Sequence, residues 1–227
     1  MIRLTFLGRG SAFNPAMGNT NAYFSAGGDL FFLDFGESAF AKAVKLIDLQ
    51  KFRHTYVLLT HLHADHCGSI ASLCSYMHYK LGREITIVYP QTGPVKELLR
   101  IQGINPQFYQ LLDALPADCA LQALPVEVRH AQDMRCYGYL LSDGEETVYY
   151  SGDAAELPHD IAQSYLGGSI QRIYHDVASM ESHSHCFVKR LEDAIPFEKR
   201  SNVYAMHLDK DWEKELKEKG FSVVQAV

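Results

Sequence analysis

The sequence predicts an α/β protein in which two sheets pack together and carry helices on their outer sides. Strand-like segments followed by helix-like segments occur twice, once in each half of the 227 residues. No Ser/Pro-rich linker, low-complexity tract or solenoid-length repeat divides the chain, so it reads as one domain over 1–227. At 47% hydrophobic and 21% charged residues, it can bury a substantial core without disulfide staples.

Residues 2–7, IRLTFL, alternate and are rich in β-formers, and 8–21 form a polar loop punctuated by glycine. Residues 22–38, AYFSAGGDLFFLDFGES, read as two strands around a Gly-Gly-Asp turn. Apolar residues at helical spacing predict a helix over 38–52. HTYVLLT (54–60) is a buried strand, and 69–82 a helix closed by Gly82. EITIVYP (84–90) is a strand stopped by Pro90, and 93–104 is a helix. In the second half, 121–130 is a strand and 136–154 a hairpin turning at Ser142-Asp143-Gly144. A strand over 170–178 precedes a helix from Cys186 that is interrupted near Pro196. The strand 202–208, a charged helix over 209–220 and a last strand, FSVVQAV, complete the order.

A formal net charge of −6 argues against a broad nucleic-acid footprint. Five scattered cysteines without a CxxC pair argue against a disulfide framework and fit a reducing cytoplasm. The N-terminal MIRLTFLGRGSAF reads as a strand and not as a secretion leader, and no apolar run reaches the length of a membrane span.

The chemistry concentrates in THLHADH, where His61, His63, Asp65 and His66 crowd one loop directly after a buried strand. Four donors at this spacing can supply two ligands to each of two metals but cannot close either shell. Strand-end residues elsewhere complete them: His130 after LPVEVR, Asp153 in YYSGDA and His207 after VYAM. The set divides into His61, His63 and His130 on one metal and Asp65, His66 and His207 on the other, with the Asp153 carboxylate between them. Two ions held roughly 3.5–4 Å apart suit in-line displacement at phosphorus by a bridging hydroxide.

H-x-H-x-D-H, a later His, an Asp in SGD and a final His after a strand occur here in the order seen in the metallo-β-lactamase fold superfamily. The resemblance spans nearly the whole chain and implies a four-layer αβ/βα sandwich with the metals at one edge of the two sheets. FLGRGSAF, FLDFGES, THLHADH and YGYLLSDGEETVYYSGDA resemble the branch of ribonuclease Z and small-molecule phosphodiesterases. That branch carries a non-ligand histidine before a helix as general acid. The match here is His185, twenty-two residues before His207, with His183 as the alternative. The resemblance implies two divalent ions, Zn²⁺ or alternatively Mn²⁺, with Asp65 both a ligand and an orienter of the nucleophile. It further implies a small phosphodiester substrate, a cyclic nucleotide or a phosphorylated sugar cyclic ester. No basic, Gly-rich insertion of the kind that grips transfer RNA is present, which argues against that substrate. Homodimers are common in the branch, and the region after residue 90 offers an apolar face.

Other readings stay open at this point. The same nucleophile can attack a carboxylic ester, thioester or lactone, and a dormant site can bind metal or nucleotide without turnover. His175 and Asp176, ending a strand in YHDVA, can orient a ligand histidine or simply bond backbone. Asp34 in FLDFGES matches a position that supports the metal loop. The family's TH-x-S near the last ligand is MHLD here, which places Asp209 where a small hydroxyl residue is common. Cys67 reads as a small buried hydrophobe, and Tyr76, Tyr79, Tyr137 and Tyr139 as core and rim aromatics. His54, His78 and His159 lack a chemical context.

Overall fold

In the computed structural model, which describes residues 1–227, the strands of each half pair with one another in simple sequential order. The first sheet is β1 (Thr5–Gly8), β2 (Asn21–Ala26), β3 (Asp29–Leu33), β4 (Thr55–Leu58), β5 (Ile85–Val88) and β6 (Tyr109–Leu112). The second is β7 (Gln122–Val128), β8 (Cys136–Ser142), β9 (Thr147–Tyr150), β10 (Arg172–Asp176), β11 (Val203–Met206) and β12 (Ser222–Val223). Each sheet begins as an antiparallel meander of three strands and continues with parallel strands.

Parallel neighbours need a crossover, and helices supply it. α1 (Ala39–Leu46) joins β3 to β4, α2 (Ala64–Cys67) and α3 (Ile70–Leu81) join β4 to β5, and α4 (Thr92–Ile101) joins β5 to β6. α5 (His159–Leu166), α6 (Val188–Ala194) and α7 (Glu213–Glu218) do the same between β9 and β12.

Side-chain alternation turns this order into four layers. In β3, Leu30 and Phe32 pack toward the helices of the first half, while Phe31 and Leu33 pack toward the second sheet. In β9, Tyr149 faces the helices of the second half and Val148 and Tyr150 face the first sheet. Both faces of these strands are buried, so they read as continuous apolar runs. The αβ/βα sandwich expected from the resemblance is thus present, with one core between the sheets and one under each helical layer.

Several boundaries differ from the sequence reading. The helix expected over 38–52 stops at Leu46; Asp48 then caps a 3₁₀ turn, Leu49–Lys51, by accepting a bond from the Gln50 N–H. β6 and α5 were not anticipated. The final strand holds only two residues in the ladder, and the charged helix covers only Glu213–Glu218. Gly82 does close α3 in the left-handed conformation, at φ +64°. No helix is long and apolar enough to cross a membrane.

The parallel strands of both sheets run toward one edge, and ligand sites of open α/β sheets form where such strands end. Backbone strain gathers at that edge. Asp34, just after β3, and His207, just after β11, are the non-glycine residues with positive φ, at 62° and 57°. Gly36 lets this turn pass against the histidine loop, because a Cβ there would lie 1.7 Å from the Asp65 carbonyl oxygen.

Candidate metal centre

Strand β4 ends in a loop that passes directly into the single turn of α2, so His61 and His63 come from the extended chain and Asp65 and His66 from the helical turn. The chain is pinned from behind. Phe35 N–H donates to the His66 carbonyl at 2.6 Å, and the buried Asn21 amide donates to the Asp65 carbonyl at 3.1 Å while accepting from Gly36 N–H at 2.7 Å. Asn21 gave no signal in the sequence, since its role exists only once β2 lies beside α2.

The seven residues expected as metal donors meet at this edge. Donor atoms of His61, His63 and His130 form one group, and those of Asp65, His66, Asp153 and His207 a second. Asp153 reaches both: Oδ1 lies 3.2 Å from His66 Nε2, and Oδ2 lies 3.3 Å from His207 Nε2, 3.6 Å from His130 Nε2 and 3.9 Å from His61 Nε2. Asp65 Oδ2 lies 3.2 Å from His66 Nε2 and 3.3 Å from His207 Nε2.

Most of these imidazoles turn Nε2 inward and anchor Nδ1 behind. His66 Nδ1–H donates to Asp34 at 2.8 Å, His61 Nδ1–H to the Thr60 hydroxyl at 3.1 Å, and His130 Nδ1–H to the Ser184 carbonyl at 2.8 Å. Thr60 in turn donates to Asp34 through both its N–H and its hydroxyl, at 2.8 Å each. These tautomers follow from the partners, and they leave a lone pair on each inward nitrogen. Asp34 therefore supports the histidine loop as expected. Asp34→Asn should reduce metal affinity 10–100-fold while the fold persists, as read by competition with a chromogenic chelator and by circular dichroism; unchanged affinity would show that Asp34 only shapes the turn.

Asp176 serves two rings, with Oδ2 2.7 Å from His185 Nδ1 and Oδ1 3.5 Å from His207 Nδ1. His175 does not share that task. Successive side chains of β10 point to opposite faces, so its ring turns toward Tyr149 in the outer core and its Nδ1–H bonds the Asp176 carbonyl at 2.8 Å. His185 stacks on His207 with ring centroids 5.0 Å apart and lines the cavity, whereas His183 is exposed and does not. Asp209 lines the rim and accepts from the Ser179 hydroxyl at 2.6 Å.

The charges at the centre balance only with added positive charge. Burial opposes ionisation of Asp153 and Asp65, but the surrounding imidazoles hold both carboxyls below their usual range. Burial likewise opposes protonation of His207, yet Asp153, Asp176 and Asp65 raise it to about 10. His66 is raised in the same way by Asp153 and Asp34. Burial and the neighbouring His66 keep His61 neutral, and burial does so for His130. Protons on His66 and His207 thus occupy the electrostatic place of cations. His66 Nε2 and Asp153 Oδ1 are buried and face each other at 3.2 Å without an aligned hydrogen bond, and poorly satisfied buried groups destabilise a fold by about 1–3 kcal/mol each. A divalent ion satisfies both, so the residues fit one.

A cavity of about 840 Å³ opens beside the donors, and its wall includes residues the sequence did not single out. Ser11, Ala12 and Phe13 come from the Gly-rich loop after β1, Glu37 from the turn after β3, and Gln132 and Asp133 from the loop after β7. Phe13 is 98% exposed at the mouth. An apolar ring in a polar loop was the one available sign of it. Tyr76, Tyr79, Tyr137 and Tyr139 do not line the cavity, and Cys67 is buried with its thiol pushed up to about 12 by burial.

The chain matches the family described as anti-Pycsar protein Apyc1 over residues 2–100 and 112–225. One curated relative of that name, from Bacillus phage 010DV004, is 27% identical over 236 residues, covering 91% of this chain and 88% of the relative. Among solved structures, the metallo-β-lactamase fold protein YhfI from Bacillus subtilis superposes with a TM-score of 0.72 at 17% identity, over 99% of this chain and 95% of YhfI. The short form of human tRNase Z gives 0.72 at 14% identity, over 98% and 94%. Fold, donor set and family match agree: the chain has the metallo-β-lactamase fold, carries two groups of residues able to hold metal ions, and belongs to the anti-Pycsar protein Apyc1 family.

Proposed function

We propose that this protein is a metal-dependent hydrolase, a dinuclear phosphodiesterase acting on a small phosphodiester, a cyclic nucleotide or a phosphorylated sugar cyclic ester. The carrying observation is the pair of donor groups joined by Asp153, with a sixth imidazole, His185, held beside them by Asp176. In this reading His61, His63 and His130 hold one ion, Asp65, His66 and His207 the other, and Asp153 is shared. The imidazole-rich set suits Zn²⁺, and its carboxylates also admit Mn²⁺. Such ions supply Lewis acidity at phosphorus and make water a competent nucleophile near neutral pH.

The protein's own groups do the rest. Asp65 accepts a hydrogen bond from the attacking water and orients it. Asp176 fixes Nδ1 of His185, leaving Nε2 to hold a proton and deliver it to the departing alkoxide. Burial would lower the His185 pKa, but the bond and charge of Asp176 outweigh burial and raise it, so the ring holds that proton more firmly. A thiolate leaving group needs no such proton, and this favours a phosphodiester over a thioester.

The test is turnover by Zn²⁺- or Mn²⁺-loaded protein of 3′,5′-cyclic nucleotides and bis(p-nitrophenyl) phosphate beside thioester and lactone substrates. Turnover confined to the phosphodiesters is the expected result. Hydrolysis of only the carbonyl substrates would replace the reading, and tight nucleotide binding without turnover would favour a binding protein.

Metal should also couple to protons and to stability. His66 and His207 are protonated in the metal-free state, so Zn²⁺ binding releases protons and strengthens as pH rises. Calorimetric titration in buffers of different ionisation enthalpy should show this release. At a free metal concentration about 1,000 times Kd the ion adds about 4 kcal/mol, which for a chain of this size is a rise in Tm of roughly 10 °C, reversed by a chelator.

A further inference from the structure

The cavity is unusual for a site that takes an anion. Of its 18 lining residues six are carboxylates and none is lysine or arginine. Asp65, Asp153 and Asp176 are engaged with imidazoles. Asp209 is engaged by Ser179. Glu37 and Asp133 remain on the rim, both exposed and both without an ion-pair partner. Three arginines that flank the lining loops pair with other carboxylates: Arg9 with Glu213 at 2.6 Å, Arg129 with Glu156 at 3.6 Å and Arg135 with Glu127. Between the rim and the donors the apolar wall is Ala12, Ala64, Ala131 and Ala178, with Phe13 at the mouth. Four small side chains leave room for a flat, uncharged body.

We propose that Glu37 and Asp133 are specificity residues that select substrate by charge: the cavity takes a monoanionic cyclic phosphodiester whose remaining body is neutral and rejects the same diester carrying a further anionic group. This rests on the phosphodiester reading above. The diester's single charge is met at the metal donors, while any second negative group lies toward the rim and faces two uncompensated carboxylates. At separations of several ångströms in water, two like charges weaken binding on the order of fivefold to tenfold. Charges several ångströms apart lie within the screening length of about 10 Å at 0.1 M salt, so the selection persists at ordinary ionic strength and fades toward 1 M. The same field expels a phosphomonoester product, whose charge approaches −2 at neutral pH.

The test compares two four-carbon esters of one substrate, 2′-O-succinyl and 2′-O-butyryl 3′,5′-cyclic AMP, which differ by a single carboxylate. With metal-loaded protein, kcat/KM for the succinyl ester should be on the order of fivefold lower at low salt, and 1 M NaCl should narrow the gap. Glu37→Gln with Asp133→Asn should bring the two esters within about twofold of each other while bound metal stays unchanged. Equal rates in the parent protein, a gap that survives in the double variant, or a gap insensitive to salt would overturn the proposal. A second readout is independent of turnover: by calorimetry the double variant should bind 5′-AMP several-fold more tightly than the parent protein, with adenosine binding unchanged. If no diester is hydrolysed the phosphodiesterase reading fails alone, and the binding comparison still decides; 5′-AMP bound no more tightly by the double variant refutes charge selection.

Discussion

Asp153→Asn is expected to abolish turnover, on the order of 10³-fold or more, and to reduce the bound metal below two ions per chain. Among the carboxylates it is Asp153 that reaches imidazoles of both donor groups. Its two oxygens lie between 3.2 and 3.9 Å from the inward nitrogens of His61, His66, His130 and His207. Asparagine keeps the shape but removes the charge and turns one acceptor into a donor, which faces nitrogens that need a cation and not a hydrogen. A factor of 10³ is about 4 kcal/mol, the scale on which a carboxylate that organises two Lewis acids acts. Elemental analysis after gel filtration, paired with kcat on bis(p-nitrophenyl) phosphate, is the measurement. A variant that keeps two ions and a tenth of the activity would mean that the two donor groups function without a shared ligand.

The variant also separates charge from packing. Asp153 is a main cause of the high His207 pKa of about 10 in the metal-free protein. Without it the His207 proton is held less firmly, so Zn²⁺ binding by the variant releases fewer protons. Loss of affinity and loss of proton release should therefore appear together.

What the sequence made legible was whatever depends on neighbours along the chain. Four donors within six residues after a buried strand identify a metal loop without any tertiary knowledge. His130, Asp153 and His207 were legible because each follows an apolar strand, and parallel strands of a two-layered α/β fold end at a common edge. His175 and Asp176 mark the limit. They are adjacent and chemically alike as partners for a histidine, and only the register of β10 against β11 decides that Asp176 reaches the centre and His175 the outer core. β6 escaped notice because it is only four residues long and is held by pairing with β5. α5 is a short helix stabilised by Ile161, Ala162 and Tyr165 packing on the second sheet, a tertiary contribution that local propensity does not report. The rim was illegible for a stronger reason: Glu37, Asp133 and Asp209 come from three loops far apart in sequence, and each alone looks like an ordinary solvated acid.

His185→Ala gives the second large effect, and its dependence on the leaving group makes it informative. Loss of a general acid costs about 10²–10⁴-fold when the departing oxygen is a poor leaving group, as an alkoxide of a cyclic nucleotide is. p-Nitrophenolate departs near neutral pH without a proton, so bis(p-nitrophenyl) phosphate should be turned over with only a small loss. The ring lies 5.0 Å from that of His207 and 4.9 Å from that of His130, but its hydrogen bond is to Asp176, so its removal should leave both ions in place. Asp176→Asn should reproduce the pattern in weaker form, because it leaves His185 in place but removes the charge that holds its proton. Equal losses on the alkoxide and p-nitrophenyl substrates with metal retained would assign His185 to substrate binding. Loss of metal would make it a ligand, through the alternative grouping of Asp153, Asp176, His185 and His207 whose donor atoms also converge. The ratio of the two rates, measured with metal content on the same sample, therefore identifies what the sixth imidazole does.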